Sequence, residues 1–397
     1  MPTIKAGNNG GYGSKKAGQA GRIRVLHFAS VINRYDFIDT IVRHVDQTRF
    51  APMVCRFSGS SNIQATEYDG IIPSLTLDAR SRWGYPAASL RLAAILRKHQ
   101  VDILHAHHYY ETLIGAAAVT LVPGCRLVIG RHYHDLIYLL CRGVRLRALL
   151  TLEHLANAVA TRIVVPSGAI RTLLMNRQGV ASEKIGVIPY GFEFEGDKYQ
   201  RSEPCGCAQV RSSLGIEGRF VIGNFGQHHR LKGQEYLLRA FATFAARHAE
   251  AVLLMVGDGP YGARLRQLAE ELGLMASGKT IFTGWRREAW KILEAVDVVV
   301  HPTLSEALPQ LMVEAMAKAK PLVITNVSGA CDHVRHMDNA YLIEPRSESS
   351  IVRALEWIYQ HPEAARAFAD RARTYIRREL SIQKIIPRFE ELYQGIA

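Results

Sequence analysis

Beginning at Arg22, short runs rich in Val and Ile alternate with longer segments whose apolar residues recur at helical spacing. A strand buried on both faces reads as a continuous apolar run, and parallel neighbours need a long crossover, usually a helix. The runs begin at Ile23, Phe50, Val101, Arg126, Arg162 and Ile185. The stretch "EFEGDKYQRSEPCGCAQ" (193–209) carries neither period, and a second series then begins at Phe220, Ala251, Thr280, Val296, Pro321 and Ala340. Each series is long enough for its own doubly wound sheet. The 397 residues also exceed the roughly 250 to 300 that a single core holds. The pattern predicts two α/β domains, 22–203 and 204–380, joined through the patternless stretch. Ligands of such sheets sit outside the carboxyl ends of the strands, so the cleft between the domains is where chemistry is expected.

Composition narrows the partners without choosing one. A formal net charge of +13 favours an anionic ligand or surface. No nucleic-acid-binding module or aromatic-basic platform accompanies it, so nucleic acid is not expected. Six cysteines are scattered, mostly in apolar runs, and the one close pair, Cys205 and Cys207, lacks a second pair to complete a metal site. No apolar run reaches the roughly 20 residues that span a bilayer, and the first segment has no signal-peptide core, which predicts a cytoplasmic protein. Residues 1–21 read as a disordered basic tail, rich in Gly, Lys and small polar residues.

The stretch "FGQHHRLKGQEYLLRAF" places a helix after Gly233, with an apolar stripe of Leu237, Leu238, Phe241, Ala242 and Phe244. His228, His229, Arg230 and Lys232 crowd its start. Cations there oppose the helix macrodipole by about 0.3 to 1 kcal/mol each. A phosphate or diphosphate held by the helix amides and Lys232 removes the conflict; a solvated basic loop is the plainer alternative. In "VGDGPYG", Gly257, Gly259 and Gly262 match the glycine spacing of a dinucleotide fingerprint. The acidic residue such a site needs after the next strand is missing, since "TIFTGW" ends in Gly284 and Trp285. These glycines therefore admit a different ligand or make a tight turn.

In "SEALPQLMVEAMAKAKPLV", Glu306 precedes Pro309 and Glu314 follows it, eight positions on from Glu306. Pro309 suits a first helical position. Leu311, Met312, Ala315, Met316 and Ala319 then make one apolar face, with Glu314 at its flank in the second turn. Both carboxylates can thus address one ligand over the cleft. Each also has a simpler reading, Glu306 as a helix-start acid and Glu314 as an i, i+4 partner of Lys318.

Together, "SEALPQLMVEAMAKAKPLV", "VGDGP", "LKGQEYLLRAF" and "KIGVIPYGFE" resemble the retaining glycosyltransferases of family 4, with their Glu-x7-Glu motif, over residues 162–345 and more loosely before. The resemblance implies the GT-B fold, two Rossmann-like domains facing across a cleft, with a C-terminal helix (381–397) that returns to the first domain through Ile385, Ile386, Phe389 and Leu392. It implies a donor nucleotide-diphosphate sugar of UDP, GDP or ADP type in the second domain. A glycan, lipid-linked or small-molecule acceptor would occupy the first.

Carried over by position, Glu306 lies near the donor sugar, Glu314 accepts from ribose hydroxyls, Lys232 meets the diphosphate and His132 of "GRHYHD" reaches toward the sugar. Gly226, Gly257, Leu308, Pro309 and Gln310 complete the donor-binding set. The family's usual arginine is Gln227 here, which leaves Arg230 or His228 as its replacement, and the glycine pair expected after the first strand is absent from "HFASVINRYDF". The family needs no metal, and no Asp-x-Asp pair ends a strand. The segment 134–160, with Arg142, Arg145 and Arg147 among Leu-rich stripes, is either a membrane-facing or a core-facing helix. A sugar-nucleotide epimerase and a catalytically degenerate nucleotide-sugar-binding protein are the alternative functions.

Overall fold

A computed structural model describes residues 21–30, 37–58, 72–78, 84–133, 138–139, 141–196, 198–200 and 204–397. The expected basic tail, Gly21 excepted, lies outside the described residues. The first seven strands are β1 (Ile23–Ala29), β2 (Phe50–Ser58), β3 (Ser74–Asp78), β4 (Ile103–His107), β5 (Arg126–Gly130), β6 (Arg162–Val165) and β7 (Ile185–Val187). They form one parallel sheet in the order β3-β2-β1-β4-β5-β6-β7. The second sheet holds β8 (Phe220–Phe225), β9 (Ala251–Val256), β10 (Thr280–Gly284), β11 (Val298–His301), β12 (Leu322–Thr325) and β13 (Tyr341–Ile343). Its order is β10-β9-β8-β11-β12-β13, also parallel.

Each apolar run named above became a strand. The unforeseen strand is β3, which among the described residues is an edge strand pairing only with β2, and whose "SLTLD" is too polar and short to read as a buried run. The patternless stretch is also corrected at its far end. Pro204–Ser213 is a helix, packed on the helix Ala289–Ala295, with Val210 against the second core. Pro309 caps the helix Gln310–Ala317, one position before the expected first turn.

In each sheet the chain reverses its direction of build at one point, between β1 and β4 and between β8 and β11. The loops leaving neighbouring strands there diverge to opposite faces and open a crevice. These two crevices position the site. The C-terminal helix, Ile382–Gln394, buries Ile385, Ile386, Phe389 and Tyr393 against Val25, Phe50, Ile103 and Val128 of the first sheet, with Leu392 partly covered. The outgoing and returning chains pair where they cross: Phe192 N–H donates to Leu380 O at 2.8 Å and Ile382 N–H to Phe192 O at 3.2 Å. A further link joins the halves, from the Gly168 N–H to Asp332 Oδ2 at 2.5 Å.

Candidate active site

The β8 and β9 loops are fitted backbone to backbone. His228 N–H donates to Asp258 O at 2.9 Å, Tyr261 N–H to His228 O at 3.1 Å and Gly226 N–H to Val256 O at 2.9 Å. A Cβ on Gly257 would overlap the Gly226 carbonyl, and one on Gly259 would overlap that of His228. The glycines of "VGDGP" therefore admit the chain's own neighbouring loop. Beyond His228, Arg230–Lys232 form a single 3-10 turn, Gly233 reverses the chain at φ +66°, and the helix Gln234–Ala245 follows. The cations thus stand one turn ahead of the helix. Leu304 N–H donates to Leu231 O at 2.8 Å, which ties this turn to the loop leaving β11.

These loops and the first domain enclose a cavity of about 750 Å³, of the size that holds a small-molecule ligand. Gly226, Gln227, Lys232, Gly257, Glu306, Leu308, Gln310 and Glu314 line it, as do Phe37 and Tyr190 from the first domain. Pro309 is buried just behind the wall. Arg230 is exposed and outside the lining, and His228 is buried beneath the loops with no partner for its Nε2. Neither stands in the cavity lining beside Gln227. Among the described lining residues, Arg286 does offer a second cation beside Lys232; it stands exposed after the carboxyl end of β10, next to Trp285, which is 72% exposed.

Lys232 and Glu306 form a direct ion pair. His301, buried at the end of β11, holds its Nε2 at 3.3 Å from Glu306 Oε1. Burial acts to raise the Glu306 carboxyl, but the His301 imidazole and the Lys232 ammonium outweigh it and hold it down at about 2. Glu306 is therefore a carboxylate at any working pH. Glu314 pairs with Lys198 at 2.7 Å. Lys318, its alternative partner in the sequence, instead forms a buried pair with Glu294.

His132 follows β5 in the first domain and does not line the cavity. Its Nδ1 lies 3.0 Å from the Tyr190 hydroxyl and its Nε2 2.9 Å from His107 Nδ1, so both ring nitrogens are occupied. His107 Nε2 in turn lies 3.1 Å from His27 Nδ1, and His105 Nδ1 lies 2.8 Å from the Tyr393 hydroxyl. The cluster exists because β1 and β4 are neighbours at the crevice and β5 supplies Gly130. A Cβ there would come within 2.5 Å of His107 Nδ1 and 2.8 Å of His132 Nε2.

Burial pushes all four imidazoles down, His27 to about 3 and the others well below the usual range with help from neighbouring rings. His27, His105 and His107 bring ring nitrogens within 4.8 Å of one another, close enough to hold a metal ion. No carboxylate joins that group among the described residues, so a divalent ion would sit uncompensated against the apolar helix Ile382–Gln394. The arrangement fits a neutral hydrogen-bonded chain better.

The sequence reading missed Phe37, Tyr190, Trp285, Arg286 and His301. Four of them, Tyr190, Trp285, Arg286 and His301, sit at or just past the carboxyl ends of β7, β10 and β11, where the strand rule alone pointed.

Comparison with known proteins agrees with this geometry. The family model "Glycosyl transferases group 1" matches residues 208–375, and "Glycosyltransferase Family 4" matches residues 37–195. The chain belongs to the family 4-type glycosyltransferases of the GT-B fold. The N-acetyl-alpha-D-glucosaminyl L-malate synthase of Bacillus anthracis is 24% identical over 81% of this glycosyltransferase and 83% of its own length. The UDP-Gal:alpha-D-GlcNAc-diphosphoundecaprenol alpha-1,3-galactosyltransferase of Escherichia coli is 24% identical over 90% and 85%. Among solved structures, Anabaena Alr3699/HepE in complex with UDP and glucose superposes with a TM-score of 0.78 at 21% identity, covering 94% of this chain and all of that one.

Proposed function

We propose that this glycosyltransferase moves a sugar from a UDP-sugar to a lipid-linked acceptor, with retention at the anomeric carbon and without a metal ion. The observation that carries the reading is the Lys232–Glu306 pair, a cation and a carboxylate held in contact in the lining of the cavity. Breaking a bond to a nucleoside diphosphate creates an oxocarbenium-like sugar and a departing anion. A fixed cation on that anion contributes about 3 to 4 kcal/mol where such donors have been removed in other enzymes.

On donor binding, the diphosphate draws Lys232 from Glu306 and Arg286 closes from the β10 side, supplying the charge that Gln227 lacks. Glu306, freed, stabilises the positive sugar. Glu314 exchanges its Lys198 contact for the ribose hydroxyls, and Trp285 offers its exposed face to the base. The UDP preference follows two relatives whose names carry it, the galactosyltransferase and the Anabaena protein.

The lipid-linked acceptor is favoured by the helix Gly143–Val159. It buries only Glu153, Ala156 and Asn157, and Val144, Leu152, Leu155 and Val159 form an exposed apolar stripe beside exposed Arg145 and Arg147. Among the described residues no helix is long and apolar enough to cross a membrane. We place the enzyme peripherally on the cytoplasmic face of a membrane, this stripe against the lipid.

The deciding experiment incubates the enzyme with UDP-, GDP- and ADP-sugars, with and without membrane-lipid extract, and measures free nucleoside diphosphate. Release that requires both a UDP-sugar and the extract is expected. A changed sugar nucleotide formed without extract would make the protein an epimerase, and binding of a donor without turnover under any condition would leave it a binding protein.

A further inference from the structure

Tyr190 lines the cavity, whereas His132 does not, and the two are joined through one hydrogen bond. Phe37 stacks on Tyr190 with centroids 4.8 Å apart and also covers the His132 ring at 4.1 Å, which fixes both side chains. A neutral imidazole has one N–H donor and one acceptor nitrogen. Since both nitrogens of His132 and of His107 are engaged, the bonds Tyr190–His132–His107–His27 must all run in the same direction. Two arrangements satisfy this. In one, Tyr190 donates to His132 and offers only lone pairs to the cavity; in the other, His132 donates to Tyr190 and leaves the tyrosine O–H free.

We propose that Tyr190 is the side chain that meets the acceptor, and that His132, His107 and His27 are positioning residues whose bonds run toward the cavity, so that the tyrosine donates its O–H into it. The choice of direction comes from Glu306, a carboxylate that lines the same cavity as Tyr190, so that a hydroxyl proton turned into the cavity faces negative charge. Burial, with that same carboxylate, pushes the tyrosine far up, so it remains a hydroxyl. His27 Nδ1–H then donates to His107 Nε2, His107 Nδ1–H to His132 Nε2, and His132 Nδ1–H to the Tyr190 oxygen. The hydroxyl orients an acceptor oxygen over the sugar, and the chain keeps it from turning inward.

The role rests on the transferase reading; the direction of the bonds does not, and the experiment separates them. Ring-nitrogen NMR of the full-length enzyme labelled at histidine is expected to show neutral Nδ1–H tautomers at His27, His107 and His132. An Nε2–H tautomer at His132 overturns the direction whatever the enzyme transfers.

In the transfer assay, Tyr190→Phe keeps the stacked ring and is expected to lower kcat about tenfold or more with the donor KM unchanged. His107→Leu should lower kcat similarly, while His107→Asn, whose amide can replace Nδ1–H, should retain most of it. Adding His107→Leu to Tyr190→Phe should cost nothing further. If His107 merely fills space, Leu is tolerated better than Asn in this apolar layer and its effect adds to that of Tyr190→Phe. Either of those results, or a fully active Tyr190→Phe, overturns the proposal. If the wild type transfers no sugar, the transferase reading fails while the tautomers still test the chain.

Discussion

Lys232 and Glu306 neutralise each other in the cavity, so removing either does two things at once. Lys232→Ala takes away the diphosphate's cation and leaves Glu306 to repel it, whereas Glu306→Gln leaves Lys232 free but the sugar's positive charge unsupported. Each variant is expected to lower turnover at least about tenfold, and Lys232→Ala alone should also weaken the donor. Near-normal transfer by either variant, measured on protein whose melting is unchanged, would remove that residue from the site. The two glutamates and the lysine were legible in sequence because strand end, proline and helix stripe fix their positions locally. Arg286, Tyr190 and His301 were not. Each enters the cavity at the carboxyl end of a different strand; the strand rule marks those ends, but which of them meet is set by sheet order, which no local pattern reveals. For the same reason Arg230, four residues from Gly226, was a plausible anion ligand in sequence but is exposed and outside the lining.

At the scale of elements, β1 and β4 carry a prediction of their own. Their histidines are neutral when folded and protonate freely when unfolded, so the unfolded chain binds more protons below the ordinary imidazole value. Stability is therefore complete above about pH 6.5 and lost as the pH falls, by about 1.4 kcal/mol per pH unit for each such group. With His27, His105, His107 and His132 together, urea midpoints should drop steeply from pH 7 toward pH 5, less steeply in His27→Leu; a flat profile contradicts the buried neutral cluster.

The helix Gly143–Val159 carries another. Basic side chains near an anionic bilayer contribute about 1 kcal/mol each. Sedimentation with anionic vesicles should fall when Arg145 and Arg147 become Glu, and again with Leu155→Asp, and unchanged sedimentation removes the membrane face. In sequence this helix could face either way. Glu153 is drawn inward to pair with buried Arg131 and to accept from the Tyr133 hydroxyl at 2.6 Å, and the apolar stripe on the opposite face is exposed. β3 and the helix Pro204–Ser213 escaped notice for a related reason: one is a polar edge, the other a Gly- and Ser-containing segment made helical by its packing rather than by its own preference.

For the molecule as a whole, the alternation of apolar runs and helical segments was enough to give two parallel sheets, because nothing else buries strands on both faces. The returning helix, inferred from resemblance, docks as expected, and its Tyr393 reaches the imidazole cluster that backs the site. Both crevices open where each sheet reverses its build, and the cavity between them takes walls from both domains. In the proposed reaction a diphosphate sugar replaces the internal pairing of Lys232 with Glu306. Calorimetric titration of UDP-sugars into the wild type and into Lys232→Ala tests it most directly. At least one UDP-sugar is expected to bind the wild type and to bind the variant about tenfold or more weakly; equal affinity for both proteins, or no binding to either, would overturn that exchange.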